Sequence, residues 1–274
     1  MNFNKHVNDN ELLLENQRVD IKKLLSFLQE KKNITQLSLS CCGIGKEGAE
    51  ALAKSENLKN LTTLNLEWNK IGKEGAEALA KSENLKSLTT LNLEDNELGK
   101  EGAEALAKSE NLKNLTTLNL KWNKIGNKGA EALAKSENLK NLTTLNLECN
   151  FIDLQGAKAL LKSDNFPNLK LISFHLWDQF YIGSKIDLLQ EIENAQSRSK
   201  AMITGSVCGV ITALTVGIGC GVIGVELSIL AIVGIAVAAA LVIGVIAGGT
   251  TYSVLKLDEP PLGIANQQQV PGKS

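Results

Sequence analysis

The sequence predicts an α/β solenoid over residues 33–177, followed by an all-α transmembrane hairpin over residues 201–255. Two observations support this prediction. A segment of 27 residues returns with constant spacing, and each copy joins a strand-like half to a helix-like half, which is typical of solenoids built from stacked repeats. Further along the chain, the stretch between Lys200 and Lys256 contains a single charged residue, Glu226, and it therefore has the length and apolarity of a membrane segment.

Composition argues against several classes of protein. The formal net charge of −1 gives no bulk attraction for nucleic acid, and the 4% aromatic content is low for the core of a close-packed enzyme. The five cysteines include no C-x-x-C pair, so neither a disulfide framework nor a zinc site is predicted. The polar N-terminus lacks the basic and apolar regions of a signal peptide. We therefore expect the repeats to stay in the compartment where they are made.

The copies share the pattern L-x-x-L-x-L-x-x-N. In the second copy this pattern falls on Leu61, Leu64, Leu66 and Asn69, and the first copy has Cys42 in place of the asparagine. Alternation along a strand predicts that Leu64 and Leu66 point inward, and the asparagine side chain can satisfy backbone groups of adjacent turns. The copies start at Asn33, Asn60, Ser87, Asn114 and Asn141, and a half copy starts at Asn168.

The second half of each copy predicts a helix. In the second copy we place this helix at 75–82, with Ala76 and Leu79 packed on the sheet. Glu77 and Lys81 lie four residues apart on the outer side, where they suit an ion pair.

This combination resembles the ribonuclease-inhibitor type of leucine-rich repeat, in which strands and helices alternate. The resemblance covers roughly residues 21–177 and rests on five tandem copies that keep their phase. It implies a short horseshoe with parallel strands on the concave face and helices on the convex face.

Both ends of a solenoid need a cap, because the core is otherwise exposed there. At the N-terminal end we predict a capping helix within residues 1–32, at about 11–31. At the C-terminal end Ile172, Phe174 and Trp177 replace the two leucines and the asparagine, which predicts a half-repeat cap.

A linker helix is predicted within residues 178–200. The residues from Ser184 to Asp187 read S-x-x-D, which is a variant of the capping box that begins many helices. The apolar face of this helix is predicted to carry Ile186, Leu189 and Ile192. At the far end of the chain, residues 256–274 contain proline and glutamine and are predicted to be disordered.

The hydrophobic region predicts two membrane helices joined by a tight reversal at Glu226. Residues 202–225 and 227–253 each reach the length of about 20 apolar residues that spans a bilayer. The positive-inside rule places both flanks of the hairpin on the cytosolic side, because only the flanks carry basic residues. These flanking residues are Lys185, Arg198, Lys200 and Lys256. A buried pair of soluble helices is the alternative.

Variation between the copies indicates a candidate binding surface. The helical halves are almost constant, whereas the residues around the end of each strand change from copy to copy. We expect these variable residues to line the concave face and to bind a protein partner. For the two tryptophans, packing over the neighbouring repeat remains open as the alternative. The predicted partner-binding residues are Glu67, Trp68, Lys70, Glu94, Asp95, Glu97, Lys121, Trp122, Lys124, Glu148 and Phe151.

No catalytic or phosphate-binding motif appears in the chain, so we expect neither an enzyme nor a cofactor, a metal or a small-molecule substrate. The first hypothesis is a membrane-anchored protein-binding module. The alternative is a membrane-active or oligomerising protein in which the hairpin carries the function. Its glycine pairs at four-residue spacing, such as Gly205 and Gly209, suit close helix contact in lipid, although glycine is also simply common in such segments. An activator of small GTPases is a third hypothesis, disfavoured because the repeats contain no arginine.

The layout of repeats followed by paired hydrophobic helices resembles ankyrin and leucine-rich-repeat proteins of obligate intracellular bacteria. This resemblance implies a bacterial effector that meets host factors at a membrane.

Overall fold

The computed structural model describes residues 2–176 and 179–197. The predicted hairpin at 201–255 and the predicted disordered tail at 256–274 lie outside the described residues, as does Trp177. Met1–Glu191 make up one compact unit and Ile192–Ser274 a second, of which 192–197 are described. Among the described residues, no helix has both the length and the apolarity needed to cross a membrane.

Within the described residues, nine strands form one sheet in chain order, and helices connect the parallel strands. Short 3-10 turns follow the second, third and fourth helices. In chain order the elements are β1 (Val7–Asn8), β2 (Glu11–Leu13), α1 (Ile21–Glu30), β3 (Gln36–Ser38), α2 (Gly45–Lys54), β4 (Thr63–Asn65), α3 (Gly72–Lys81), β5 (Thr90–Asn92), α4 (Gly99–Ala107), β6 (Thr117–Asn119), α5 (Gly126–Ala134), β7 (Thr144–Leu147), α6 (Leu154–Lys162), β8 (Leu171–Leu176), β9 (Gln179–Gly183) and α7 (185–197).

The repeat predicts the strand register correctly. Leu64 of β4 pairs with Leu37 on one side and Leu91 on the other, each 27 residues away. Leu64 and Leu66 are fully buried, as predicted, and so are Ala76 and Leu79 of the helix. Each repeat therefore buries one leucine-lined strand against one alanine-lined helix, and stacking joins these layers into a single core.

Helix α3 starts at Gly72 and not at the predicted residue 75. The reason is that the Gly72 amide donates to the carbonyl oxygen of Asn96 at 3.0 Å, which fixes the start of the helix against the next repeat. Gly75 then lies inside the helix at its closest approach to α2, where an added Cβ would stand 3.1 Å from the Cβ of Ala49. The predicted Glu77–Lys81 pair is formed at 3.4 Å.

In four of the five repeats a buried asparagine connects two neighbouring turns, as Asn96 does through four side-chain hydrogen bonds. Asn96 donates through Nδ2 to the carbonyl oxygens of Leu66 at 2.8 Å and Glu94 at 2.9 Å. Its Oδ1 accepts from the backbone amides of Asn69 at 3.2 Å and Ile71 at 3.3 Å. The side chain is fully buried. One side chain thus satisfies backbone groups that a buried bend would otherwise leave unpaired.

The N-terminal cap differs from the predicted helix at 11–31. Residues 11–13 form strand β2, and only the second half of the predicted range, Ile21–Glu30, is helical. Leu12 pairs with Leu37, so the segment behaves as a shortened repeat. The 27-residue phase missed it because this pair lies 25 residues apart. Phe3 packs against Phe27 of α1 with ring centroids 5.2 Å apart and helps to close this end of the core.

The C-terminal cap begins as predicted, with Ile172 and Phe174 of β8 fully buried. The chain then reverses into β9, which pairs antiparallel with β8. The linker predicted at 178–200 is therefore a strand over 179–183, and the helix predicted from about Lys185 is formed over 185–197. The capping box at its start is formed, since the Asp187 amide donates to Ser184 Oγ at 3.2 Å. A hairpin gives the cap a second buried aromatic ring, because Tyr181 stacks on Phe174.

The predicted faces of α7 and the role of Lys185 also change. Leu188 and Ile192 are buried, whereas Ile186 is exposed, so the predicted apolar face is shifted around the helix. Lys185, one of the basic residues predicted to flank the hairpin, donates through Nζ to the carbonyl oxygen of Ser163 at the end of α6. Burial lowers the pKa of Lys185, against the opposing effect of Asp164. This contact ties the start of α7 to the last repeat.

Candidate interaction surface

The predicted binding residues fall into three columns that run from repeat to repeat. The first column lies on the open face of the sheet, the face away from the helices, which corresponds to the predicted concave face. The other two columns lie in the turn that follows each strand. The open-face row consists of Glu15, Ser40, Glu67, Glu94, Lys121, Glu148, His175 and Phe180. The first turn column is Cys41, Trp68, Asp95, Trp122 and Cys149, and the second is Gly43, Lys70, Glu97, Lys124 and Phe151.

One lysine on the open-face row is held between two carboxylates. Lys121 Nζ lies 3.7 Å from Glu94 and 3.3 Å from Glu148, and all three side chains are largely buried. Burial lowers the pKa of Lys121, but Glu94 and Glu148 outweigh this effect and hold the pKa above its usual range. Lys121 therefore compensates one of the two negative charges of its neighbours, and the three residues together remain negative.

Glu67 has a different environment on the same row. Its carboxylate accepts from Asn92 Nδ2 at 3.2 Å, and among the described residues no lysine or arginine forms an ion pair with it. Burial raises the pKa of the Glu67 carboxyl, and the neighbouring carboxylate of Glu94 raises it further. Glu15 adds to the same repulsion, and Lys121 offsets only part of it. Among the described residues, the negative charge of Glu67 is therefore not compensated by an ion pair.

Both turn columns adopt the left-handed region of the backbone. Trp68 has a φ of 58° and Lys70 a φ of 51°, and the same geometry recurs in every repeat. For residues other than glycine, this backbone conformation costs roughly 1–2 kcal/mol of free energy. The sequence predicted that these residues line the concave face. In the structure they lie instead in the turn between each strand and the next helix.

The turn columns carry the largest exposed aromatic side chains. Trp68 is 54% exposed, Trp122 52% and Phe151 79%. The two tryptophans stand two strands apart, or about 10 Å at the usual spacing of strands, with Asp95 between them. The sequence predicted this column, and the structure adds that roughly half of each indole ring is open to solvent.

The open face continues beyond the predicted residues onto the C-terminal cap. Phe180 pairs with His175 and Ile182 pairs with Ser173, so both apolar side chains lie on the face that carries the row. They are 48% and 53% exposed. Sequence reasoning missed them because it assigned this segment to a helix. The alternation of exposed and buried residues around Tyr181 was the signal that could have revealed the strand.

The three cysteines among the described residues differ in exposure. Cys42 is buried: its Sγ donates to the carbonyl oxygen of Leu14 at 3.0 Å in place of the asparagine, and burial raises its pKa to about 11. Cys41 is exposed. Cys149 is half-buried with its Sγ 3.6 Å from Nδ1 of His175, and burial raises its pKa too. A thiol with a raised pKa is a weak nucleophile. Among the described residues, no group of three metal-ligating side chains occurs.

A family model described as Leucine Rich repeat matches five segments of the chain, at residues 30–53, 57–80, 84–107, 111–134 and 138–161. Residues 30–161 are five leucine-rich repeats. The match confirms the repeat fold and its count of five full copies. The comparison with curated proteins gives no significant match. Leucine-rich repeats generally mediate protein–protein interaction, since their stacked strands present an extended surface.

Proposed function

We propose that the protein is a membrane-anchored module that binds a protein partner through the open-face row and the two turn columns. The contrast between constant and variable residues carries this proposal. Helices α2 and α3 have the same sequence, GKEGAEALAK, and α4 repeats all but its last residue. The turn columns change between adjacent copies, although the second and fourth copies share tryptophan and lysine there. Variation confined to one exposed edge of a constant scaffold is typical of a recognition surface.

The exposed tryptophans support this reading in energetic terms. The left-handed backbone conformation of Trp68 and Trp122 is energetically unfavourable. Because each side chain is about half exposed, only part of its apolar area stabilises the fold. Exposed tryptophan beside charged groups is favoured at protein interfaces, because a large rigid ring is desolvated on binding. Trp68 and Trp122 are therefore the proposed anchors.

The membrane part of the proposal rests on residues 201–255. Their length and lack of charge support a two-helix hairpin, and the basic residues Arg198, Lys200 and Lys256 support a cytosolic solenoid and tail. The likeness to repeat proteins of intracellular bacteria supports a partner of host origin and thus the role of an effector.

Capture from cell extracts tests the binding claim. Full-length protein in detergent should retain a partner that the double variant Trp68→Ala, Trp122→Ala loses. The matched control is Glu77→Ala, Glu104→Ala on the helices, which should retain the same partner. Equal capture by both double variants would overturn the role of the turn columns.

Localisation tests the membrane claim separately. A tagged full chain should stay in the membrane pellet after alkaline extraction, and a chain ending at residue 197 should be released. Protease added outside sealed vesicles of known orientation should digest the solenoid only when the cytosolic side faces out. Release of the full chain by alkali would refute the anchor.

A second candidate function places the activity in the hairpin. The glycine pairs Gly205/Gly209, Gly217/Gly221 and Gly244/Gly248 favour it, because small residues at this spacing allow close helix packing in lipid. In that case residues 198–274 alone should oligomerise in detergent and release dye from vesicles. A monomeric peptide that releases no dye would remove this alternative.

A further inference from the structure

The cap gives the open face an apolar end that the repeats lack. Phe180 and Ile182 project from β9 on the same side as the row, and Leu171 of β8 is 38% exposed beside them. Along the repeats the corresponding positions hold polar residues such as Asn65, Asn92 and Glu67. The face therefore changes from polar to apolar where the cap begins.

Toward the N-terminal end of the open-face row, from Glu15 to Glu94, the described residues of the row include no lysine or arginine. Glu94, Lys121 and Glu148 form a sequence of alternating charge, but the step from Glu67 to Glu94 joins two carboxylates directly. Lys121 shows how a cation fits such a step, with its ammonium within 4 Å of both neighbouring carboxylates. No strand lies between Glu67 and Glu94, so a lysine or arginine from a partner would have to approach from the open face, where it could contact both carboxylates and relieve their repulsion.

We propose that the partner contributes a single segment that is basic at one end and apolar at the other. A lysine or arginine would contact Glu67 and Glu94, and apolar side chains would pack on Phe180 and Ile182. This inference rests on the proposed binding function and specifies the chemistry of the partner. Charge complementarity selects a basic end of the segment, and the apolar cap selects the other end. The basic end of the segment therefore lies over β4 and β5, and its apolar end lies over β9.

The geometry fixes the length of that segment. Five strand spacings separate β4 from β9, which gives about 24 Å at the usual distance between strands. A helix covers this distance in about 16 residues, since its rise is about 1.5 Å per residue. The basic residue and the apolar residues must therefore be about four helical turns apart, or about seven residues apart in an extended segment.

Selection from a library of random 20-residue peptides tests the proposal on full-length protein in detergent. The selected peptides should be enriched in lysine or arginine toward one end and in apolar residues toward the other. Glu67→Lys should weaken their binding at least tenfold, because it reverses the charge that they recognise. Phe180→Thr, Ile182→Thr should weaken it by a similar factor. The matched controls are Glu77→Lys on α3 and Ile186→Thr on α7, which should leave binding unchanged, and thermal unfolding should show that all variants fold.

The outcomes separate this inference from the proposed function. Peptides that lose binding with Trp68→Ala, Trp122→Ala but tolerate the changes at Glu67, Phe180 and Ile182 would overturn the inference and leave the binding function in place. Peptides that tolerate all of these changes would overturn both. Enrichment of acidic peptides would overturn the charge assignment.

Discussion

The buried asparagine column and the two turn columns beside it occupy consecutive residues of each repeat but follow opposite rules. Asn69 and Asn96 are buried, and each is fixed by hydrogen bonds to the preceding repeat. Trp68 and Lys70, on either side of Asn69, are exposed and differ from their counterparts in the adjacent copies. All three residues belong to the same turn. The comparison shows that the fold constrains the backbone throughout this turn but constrains the side chain only at its centre.

The largest expected effect is at the asparagine column. Asn96→Ala removes four hydrogen bonds and leaves buried amides and carbonyls without partners. Each such group costs about 1–3 kcal/mol, so we expect a loss of about 3–5 kcal/mol in the free energy of unfolding. Urea unfolding of a chain ending at residue 197 measures it.

Asn114→Ala is the matched control for this prediction. Asn114 also donates across the stack, to the carbonyl oxygen of Lys86 at 2.8 Å, but its bond is exposed to solvent. Its loss should cost about 1 kcal/mol or less. Equal costs at Asn96 and Asn114 would mean that burial of the asparagine column does not set its importance.

The charge network on the open face should contribute less. Lys121→Met leaves Glu94 and Glu148 as uncompensated carboxylates, and we expect a loss of about 1 kcal/mol at pH 7. Because the pKa of Lys121 is higher in the folded state than in the unfolded state, this stabilisation is complete below the unfolded pKa and disappears as the pH rises through the folded pKa. Unfolding of wild type and variant at pH 7 and above pH 11 should show the difference shrinking. Lys124→Met, in the exposed turn column, should change little at either pH.

Substitution to glycine should stabilise the fold in the turn columns, whereas it should destabilise the fold in a helix. Lys124 has a φ of 57°, so Lys124→Gly removes the left-handed strain and should stabilise the fold by about 0.5–1 kcal/mol, net of the entropy of glycine. Lys128→Gly in α5 is the control, and it should destabilise by up to about 1 kcal/mol. A thermal shift of the same sign for both variants would contradict the strain assigned to the turn.

Glu67→Gln should have the smallest effect. The pKa of Glu67 is raised in the folded state, so the folded protein binds a proton more readily than the unfolded chain and loses stability as the pH rises through that interval. At pH 7 the variant should be more stable than wild type by less than 1 kcal/mol, since the group is partly exposed. The gain should vanish below the ordinary glutamate pKa of about 4.3. A constant difference across this pH range would show that charge is not its cause.

The sequence predicted the strands and helices of the repeats correctly. Leucine spacing determined the strands and their register, and the alanine-rich halves determined the helices, because each copy tests the same pattern again. The caps occur once and follow other rules. The strand at Leu12 lies outside the repeat phase. The hairpin of β8 and β9 closes the core with Tyr181, in a segment that was predicted to belong to the linker helix.

The candidate surface shows the same limit. The variable residues were identified from sequence, but their division into an open-face row and turn columns depends on positive φ angles that residues such as Trp68 do not reveal. The apolar end at Phe180 was missed together with its strand.

Unfolding of the double variant Trp68→Ala, Trp122→Ala tests the central claim most directly, because it asks whether these side chains serve binding or packing. If they serve binding, the chain ending at residue 197 should lose about 2 kcal/mol or less per tryptophan, because about half of each side chain is already exposed to solvent. A loss of about 3–5 kcal/mol per tryptophan, typical of core aromatic residues, would show that they hold the repeats together and would contradict the account.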